Sequence, residues 1–219
     1  TYTICAKEMA AMKKTEEYRF LKEIDSIALQ QSLRHLDAAF QNFFRQPKAG
    51  FPKFKSKKIH KHTYKTQFSN NNIQFLDKHI KLPKLGKVKI RDRQIPQGRI
   101  LNATISQEPS GKYYVSLCCT DVNIAQYDKT GDAIGLDLGI KEFCITSDGE
   151  LIENPKYLAK SLDKLAKLQR ELSRKSIGSS NRNKARIKVA KLQEHIANQR
   201  KDFLHKLSTE IIRNNDIVC

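Results

Sequence analysis

Asp137 is the residue best placed to do chemistry in this 219-residue chain. It is the single acid in an apolar run that includes Ile134, Leu136, Leu138 and Ile140, with glycines at 135 and 139. A second apolar run follows, Phe143 to Ile145, then Asp148-Gly149 and a short third run at Leu151 and Ile152. Strands joined through an Asp-Gly turn are a strong hairpin signal. A carboxylate in the middle of a buried strand is costly unless it is paired or binds a metal. That cost makes Asp137 a candidate metal ligand and catalytic acid. The local pattern equally allows an edge-strand aspartate facing water.

Two basic tracts are the other candidates. Between 45 and 65 stand Arg45, Lys48, Lys53, Lys55, Lys57, Lys58, Lys61 and Lys65 with no acid, interleaved with Phe51, Phe54 and Tyr64. Cations neutralise phosphates and release counterions, and aromatics stack on bases. The bland alternative is a solvated loop whose aromatics anchor it to the body. Between 156 and 206 lie fifteen Lys and Arg against four acids: Asp163, Glu171, Glu194 and Asp202. A salt-bridged helical face would be better balanced. The densest part is Arg170, Arg174, Lys175, Arg182, Lys184, Arg186 and Lys188, and one such face is expected to line a nucleic-acid channel. The whole chain carries a formal charge of +18, which calls for a polyanionic partner.

The elements that must position these groups follow from periodicity. Apolar residues at 29, 33, 36, 40 and 43 mark one helical face, started by Asp25 or Ser26 and stopped by Pro47. Residues 73–120 alternate as short strands: Ile73/Phe75, Ile80/Leu82 and Val88/Ile90, then 100–107 and 112–120 around Pro109-Ser110-Gly111. A small barrel or sandwich is expected there. Residues 121–132 are polar and turn-rich and read as a boundary. From 156 the period is helical, with stripes at Leu158, Leu162, Leu165, Gln169 and Leu172, then at Ala185, Val189, Leu192, Ile196, Phe203 and Leu207. The break at 176–181 predicts two antiparallel helices.

Other chemistry finds little support. The cysteines at 5, 118, 119, 144 and 219 form no CxxC pair, so neither a disulfide framework nor a zinc ribbon is encoded. Cys118 and Cys119 read as buried free thiols on opposite faces of a strand. His60 and His62 have strand spacing for a metal but no third ligand nearby, and His195 and His205 look structural. No GxSxG, P-loop or GxGxxG occurs. There is no run of apolar residues long enough to span a bilayer, and residues 1–22 carry no signal-peptide pattern.

The run GLDLGIKEFCITSDGELI (135–152) and the segment 153–212 after it closely resemble the TnpB (OrfB) family, the RuvC-like proteins carried by small insertion sequences. SIALQQSLRHLDAAFQNFF (26–44) resembles that family's N-terminal helix-turn-helix segment, and GFPKFKSKK (50–58) its basic connector. The resemblance implies an RNA-guided DNA endonuclease, historically called a transposase, with a two-metal RuvC site. It implies Mg2+ as the ion and Asp137 as the first catalytic acid. A later Glu would follow the strand that starts at Ile217, and a third acid would follow a zinc ribbon; both would lie beyond this sequence, so the chain alone is expected to be inactive in cleavage. The implied partners are a guide RNA from the element's end and target double-stranded DNA, with no membrane. The implied place is the prokaryotic cytoplasm, associated with the nucleoid.

The expected fold class is α+β. A helical segment (1–46) precedes a basic connector and a small wedge-like β-barrel (47–125). The first part of an RNase-H-like (RuvC) α/β domain with a long helical hairpin follows (126–219). Both ends read as cut, since Thr1 is not Met and 215–219 look like a strand just beginning. A non-cleaving nucleic-acid-binding module, such as a truncated repressor, uses the same residues and is the alternative; a guide-free RNase-H-like hydrolase is a third.

Overall fold

The structure, a computed structural model, describes residues 2–46, 48–54, 56, 62–91 and 96–219. The chain divides into two units, residues 1–108 with 112–123, and residues 109–111 with 124–219.

The first unit opens with helix α1 (Tyr2–Met12), a 3-10 turn (Arg19–Lys22) and helix α2 (Ser26–Arg45). The Asp25 carboxylate caps α2 by accepting from the Ile27 N–H at 3.1 Å, which satisfies one of the donors a helix start leaves open. The apolar stripe of α2 is only half-buried and Leu36 is exposed. The deepest positions are Ala28 and Gln31. A helix seated at small Ala28 can come close to its neighbours, here α1 and strand β1 (His62–Gln67). Burial, then the Asp25 charge, push the Tyr64 hydroxyl of β1 above its ordinary range.

Strand β1 pairs antiparallel with β5 (Arg99–Gln107), and β5 with β6 (Tyr113–Thr120). Strands β2 (Gln74–Leu76), β3 (His79–Leu82) and β4 (Gly86–Lys89) form a second antiparallel sheet. The two-residue turn Asp77-Lys78 joins β2 to β3, with Asp77 in the left-handed region. Ile73, Ile80 and Leu82 bury against Ala103, with Ile90, Ile100, Ile105, Val115 and Leu117 packed around them. Two three-stranded sheets therefore share one core as a sandwich. The closed barrel expected from the sequence is not formed among the described residues, where no ladder joins the sheets. Strands of three or four residues are too short to tilt and stagger into a closed ring. Cys118 and Cys119, adjacent on β6, alternate in face, yet Cys118 is exposed and Cys119 only partly buried rather than both buried, and all five thiols are free.

The second unit begins with β7 (Ala133–Ile134), β8 (Leu136–Leu138), β9 (Glu142–Thr146) and β10 (Leu151–Glu153). Ladders run in the order β10-β9-β8, and β7 pairs in parallel with β11 (Ile217–Val218). Gly149 closes the β9–β10 turn at φ 84°, a conformation open to glycine. Helices α3 (Tyr157–Ser173) and α4 (Ser180–Asn214) make the antiparallel hairpin. The Ser179 hydroxyl starts α4 by accepting from the Arg182 N–H at 3.1 Å.

The face of α3 differs from expectation. Leu158 and Leu162 are 41% and 50% exposed and Gln169 is exposed; of the expected stripe Leu165 and Leu172 are half-buried, and Leu168 joins them in place of Gln169. On α4, Val189 and Ile196 of the expected stripe are buried, and so is Ala190 beside it. Phe203 is the junction of this unit. Its ring meets Phe143 of β9 edge-on at 5.1 Å and Tyr157 of α3 at 6.5 Å. Phe203→Ala should therefore destabilise the hairpin by about 2–5 kcal/mol, the range for removing a large apolar side chain. With no tryptophan in the chain, urea melts followed by far-UV circular dichroism are the measurement. A loss below about 1 kcal/mol would show that the ring is not structural. Among the described residues, no helix is long and apolar enough to cross a membrane.

Candidate nucleic-acid interface and carboxylate site

Strands β7 and β8, interrupted only at Gly135, make residues 133–138 a segment bordered on two sides. Its first half pairs with β11, where the Cys219 N–H donates to the Ile134 carbonyl and the Leu136 N–H to the Cys219 carbonyl, at 2.9 and 2.8 Å. Its second half pairs with β9, Leu136 opposite Thr146, Asp137 opposite Ile145 and Leu138 opposite Cys144. Past Leu136 the β11 side has no ladder partner among the described residues. Asp137 and Leu138 are exposed there, so the premise of a buried strand carboxylate is corrected: nothing described covers that edge.

Asp137 shares a sheet face with Ile145, its direct partner, and with Phe143 two residues along β9. Phe143 touches Phe203, so α4 packs against the face that bears Asp137. On the other face Cys144 is buried. Burial, then the nearby Asp137 and Glu150 carboxylates, push its thiol above the usual range. Those charges stand close to the sheet, but no group of three His, Cys, Asp or Glu among the described residues could hold a metal ion. Glu142, Asp148, Glu150 and Glu153 join Asp137 in no such group of three. Of the histidines, His62 is exposed on β1, His195 and His205 are exposed on α4, and His60 lies outside the described residues.

Three tethers in this unit, two of them around this strand, were not foreseen from the sequence. The Asn154 amide donates to the Ile140 carbonyl at 3.1 Å and its oxygen accepts from the Lys156 N–H at 3.1 Å. That ties the loop after Asp137 to the start of α3, with Lys156 held at φ 50°. The loop is tight: a Cβ on Gly139 would come within 2.9 Å of the Glu142 carbonyl oxygen. The Asp216 carboxylate accepts from the N–H groups of Thr130 and Gly131 at 3.3 and 2.9 Å, fixing β11 beside β7. One Arg182 guanidinium nitrogen donates to the carbonyls of Leu172 and Lys175 at 3.1 and 2.9 Å. It thereby ties the end of α3 and the loop after it to the start of α4, a polar sequence giving no local hint of which carbonyl it would reach.

The remaining basic groups of the hairpin stay in solvent. Arg170, Arg174, Lys175, Lys184, Arg186 and Lys188 are exposed. Lys167, Arg170, Glu171 and Arg174 line a shallow depression on α3, the i, i+3, i+4, i+7 spacing of one helical face. Lys184 and Lys188 stand one turn apart on α4. In the connector Lys53 is exposed, while Lys55, Lys57, Lys58 and Lys61 lie outside the described residues.

A family model described as "Probable transposase" (OrfB_IS605) matches residues 116–218. A protein of Streptomyces pristinaespiralis named "Putative RNA-guided DNA endonuclease" is 39% identical over 221 residues, covering 100% of this chain and 54% of that protein. "Putative RNA-guided DNA endonuclease InsQ" of Escherichia coli K12 is 34% identical over 220 residues, 99% of this chain and 53% of its own length. "Virulence protein VsdF" of Salmonella dublin is 51% identical over 53 residues, 24% of this chain and 44% of that protein. The chain thus spans about half the length of the two relatives that align with it throughout.

Proposed function

This chain belongs to the OrfB (TnpB) family, and from that premise we propose that it is the nucleic-acid-gripping part of an RNA-guided DNA endonuclease and carries that enzyme's first catalytic carboxylate. The observation that carries the reading is the joining of two features in one unit. Asp137 stands exposed on the edge of β8 left uncovered among the described residues, and the helix packed against its face, α4, extends into the basic hairpin. Strand order supports an RNase-H-like frame: β8 antiparallel to β9, β9 to β10, and β7 parallel to β11.

The hairpin's task is electrostatic. Its exposed guanidinium and ammonium groups neutralise phosphates, and the counterions released drive binding. Contacts of this kind fix position and register without reading sequence, which suits a partner whose sequence is delegated to a guide RNA. The RNA would be the transcript of the element's end and the target a DNA duplex. Asp137 offers a hard carboxylate oxygen of the sort magnesium takes. One carboxylate does not complete a magnesium site, and no group of three ligands forms among the described residues, so no step of cleavage is assigned to this span. Zinc, which the family resemblance places further on, has no CxxC ligands in this sequence.

The test is binding of a structured RNA by the chain and by a variant with Arg170, Arg174, Lys184 and Lys188 changed to alanine. The variant should bind about tenfold or more weakly and keep its helical circular dichroism, since all four side chains are exposed. Equal affinity of the two proteins would remove the hairpin from the interface.

A further inference from the structure

The end of α2 carries an aromatic ladder that the reading above does not use. Phe40 and Phe44, one helical turn apart, stack at 6.5 Å with 24° between their planes. Phe43 meets Phe44 at 5.2 Å. The chain then returns, and Phe51 sets its ring edge-on against Phe40 at 5.5 Å and Phe43 at 5.4 Å. Phe40 and Phe43 are half-buried, but Phe44 is 78%, Phe51 62% and Phe54 98% exposed.

Scattered single hydrophobes on a surface are ordinary. Here three phenyl rings are exposed within one short stretch, and two of them are held in place by further rings. Phe44 lies outside the helix's apolar stripe at 29, 33, 36, 40 and 43. Charge says what can cover it. Arg45 and Lys48 follow Phe44 directly and Lys53 stands between Phe51 and Phe54, all exposed, in a tract with no acid from 45 to 65. The complementary ligand is flat, apolar on its faces and polyanionic along its chain. A nucleobase on a single strand has those properties, whereas duplex bases hide their faces in the stack.

We propose that the Phe40–Phe43–Phe44–Phe51 ladder is a platform on which an unpaired nucleobase stacks, Phe44 providing the exposed ring and Arg45, Lys48 and Lys53 holding the flanking phosphates. The proposal rests on the nucleic-acid-binding function above and adds to it a strand state: the segment held here is single-stranded. Stacking is sequence-tolerant because every base has a π-face.

The experiment uses the 219-residue chain with single-stranded RNA and DNA oligonucleotides carrying 2-aminopurine, and with duplexes of the same sequence. Wild type should quench the 2-aminopurine. Phe44→Ala and Phe44→Leu should both abolish the quench and weaken single-strand binding about 5- to 150-fold. Duplex affinity and the salt slope should stay as in wild type. The RNA and DNA arms identify which strand prefers the platform. Leucine keeps apolar bulk and removes the ring. Restoration of wild-type binding by leucine would make Phe44 a packing residue and overturn the proposal, as would equal weakening of single strand and duplex. Intact salt-dependent binding with no 2-aminopurine response would overturn the platform alone. A wild-type chain that binds no nucleic acid would instead sink the function it rests on.

Discussion

Asp137→Asn, made in a protein of the relatives' full length carrying this segment, should lower cleavage of guide-matched DNA by about a thousandfold or more. A carboxylate that anchors a catalytic metal supports several kcal/mol of transition-state charge stabilisation, and each 1.36 kcal/mol is tenfold in rate. Asparagine keeps the shape and removes the charge. Because Asp137 is exposed on its strand, RNA affinity and the melting temperature should stay at wild-type values. This separation of readouts is what tests a catalytic rather than a structural role. A variant that cuts at the wild-type rate would remove Asp137 from the chemistry. If the wild-type protein binds RNA and never cuts, the non-cleaving binding module becomes the better account.

The second large effect is in salt. If the connector and the hairpin together contact about six to ten phosphates, affinity for a duplex falls about 10³- to 10⁵-fold between roughly 50 and 200 mM salt, and structured RNA should respond in the same direction. Changing Lys53, Lys55, Lys57 and Lys58 to alanine should flatten the slope of log affinity against log salt by about three to four units, close to 0.9 for each duplex phosphate that is no longer neutralised. The measurement is a salt titration of binding on both proteins, with the helical signal as a control for folding. An unchanged slope would mean that the connector lysines are solvated and touch no phosphate.

Much of the framework was legible because it is written locally. The alternation of Ile80 and Leu82 gave β3 and its buried side, and the break at 176–181 gave the hairpin loop. What escaped was decided by distant partners. Leucines at 158, 162, 165, 168 and 172 fill two adjoining stripes of α3, and only α4 selects the one that is covered. The flanks of Asp137 looked like core because Leu138 and Ile140 are apolar, yet both are exposed; burial belongs to whatever lies across a sheet, not to the strand's own composition. Arg182 reads as one more cation until its reach to Leu172 and Lys175 is seen. Asp216 and the turn at 130–131 are joined across nearly the length of the second unit. Two sheets sharing a core and a closed barrel have the same strand alternation, so the pattern could not separate them.

The unequal lengths of the two long helices have a mechanical consequence. At 1.5 Å per residue α4 is about 52 Å long and α3 about 26 Å, from 35 and 17 residues. The clamp at Phe203 lies about 35 Å along α4 from its first residue, Ser180. That length makes the hairpin a long arm beyond the Phe203 contact. A tilt of about 10° at that contact sweeps the tip through about 6 Å, more than the 3.4 Å rise between successive phosphates along one strand. If the hairpin grips a strand as proposed, the packing of Phe203 against Phe143 and Tyr157 would help set which phosphate each tip cation meets, from a point that no nucleic acid need touch.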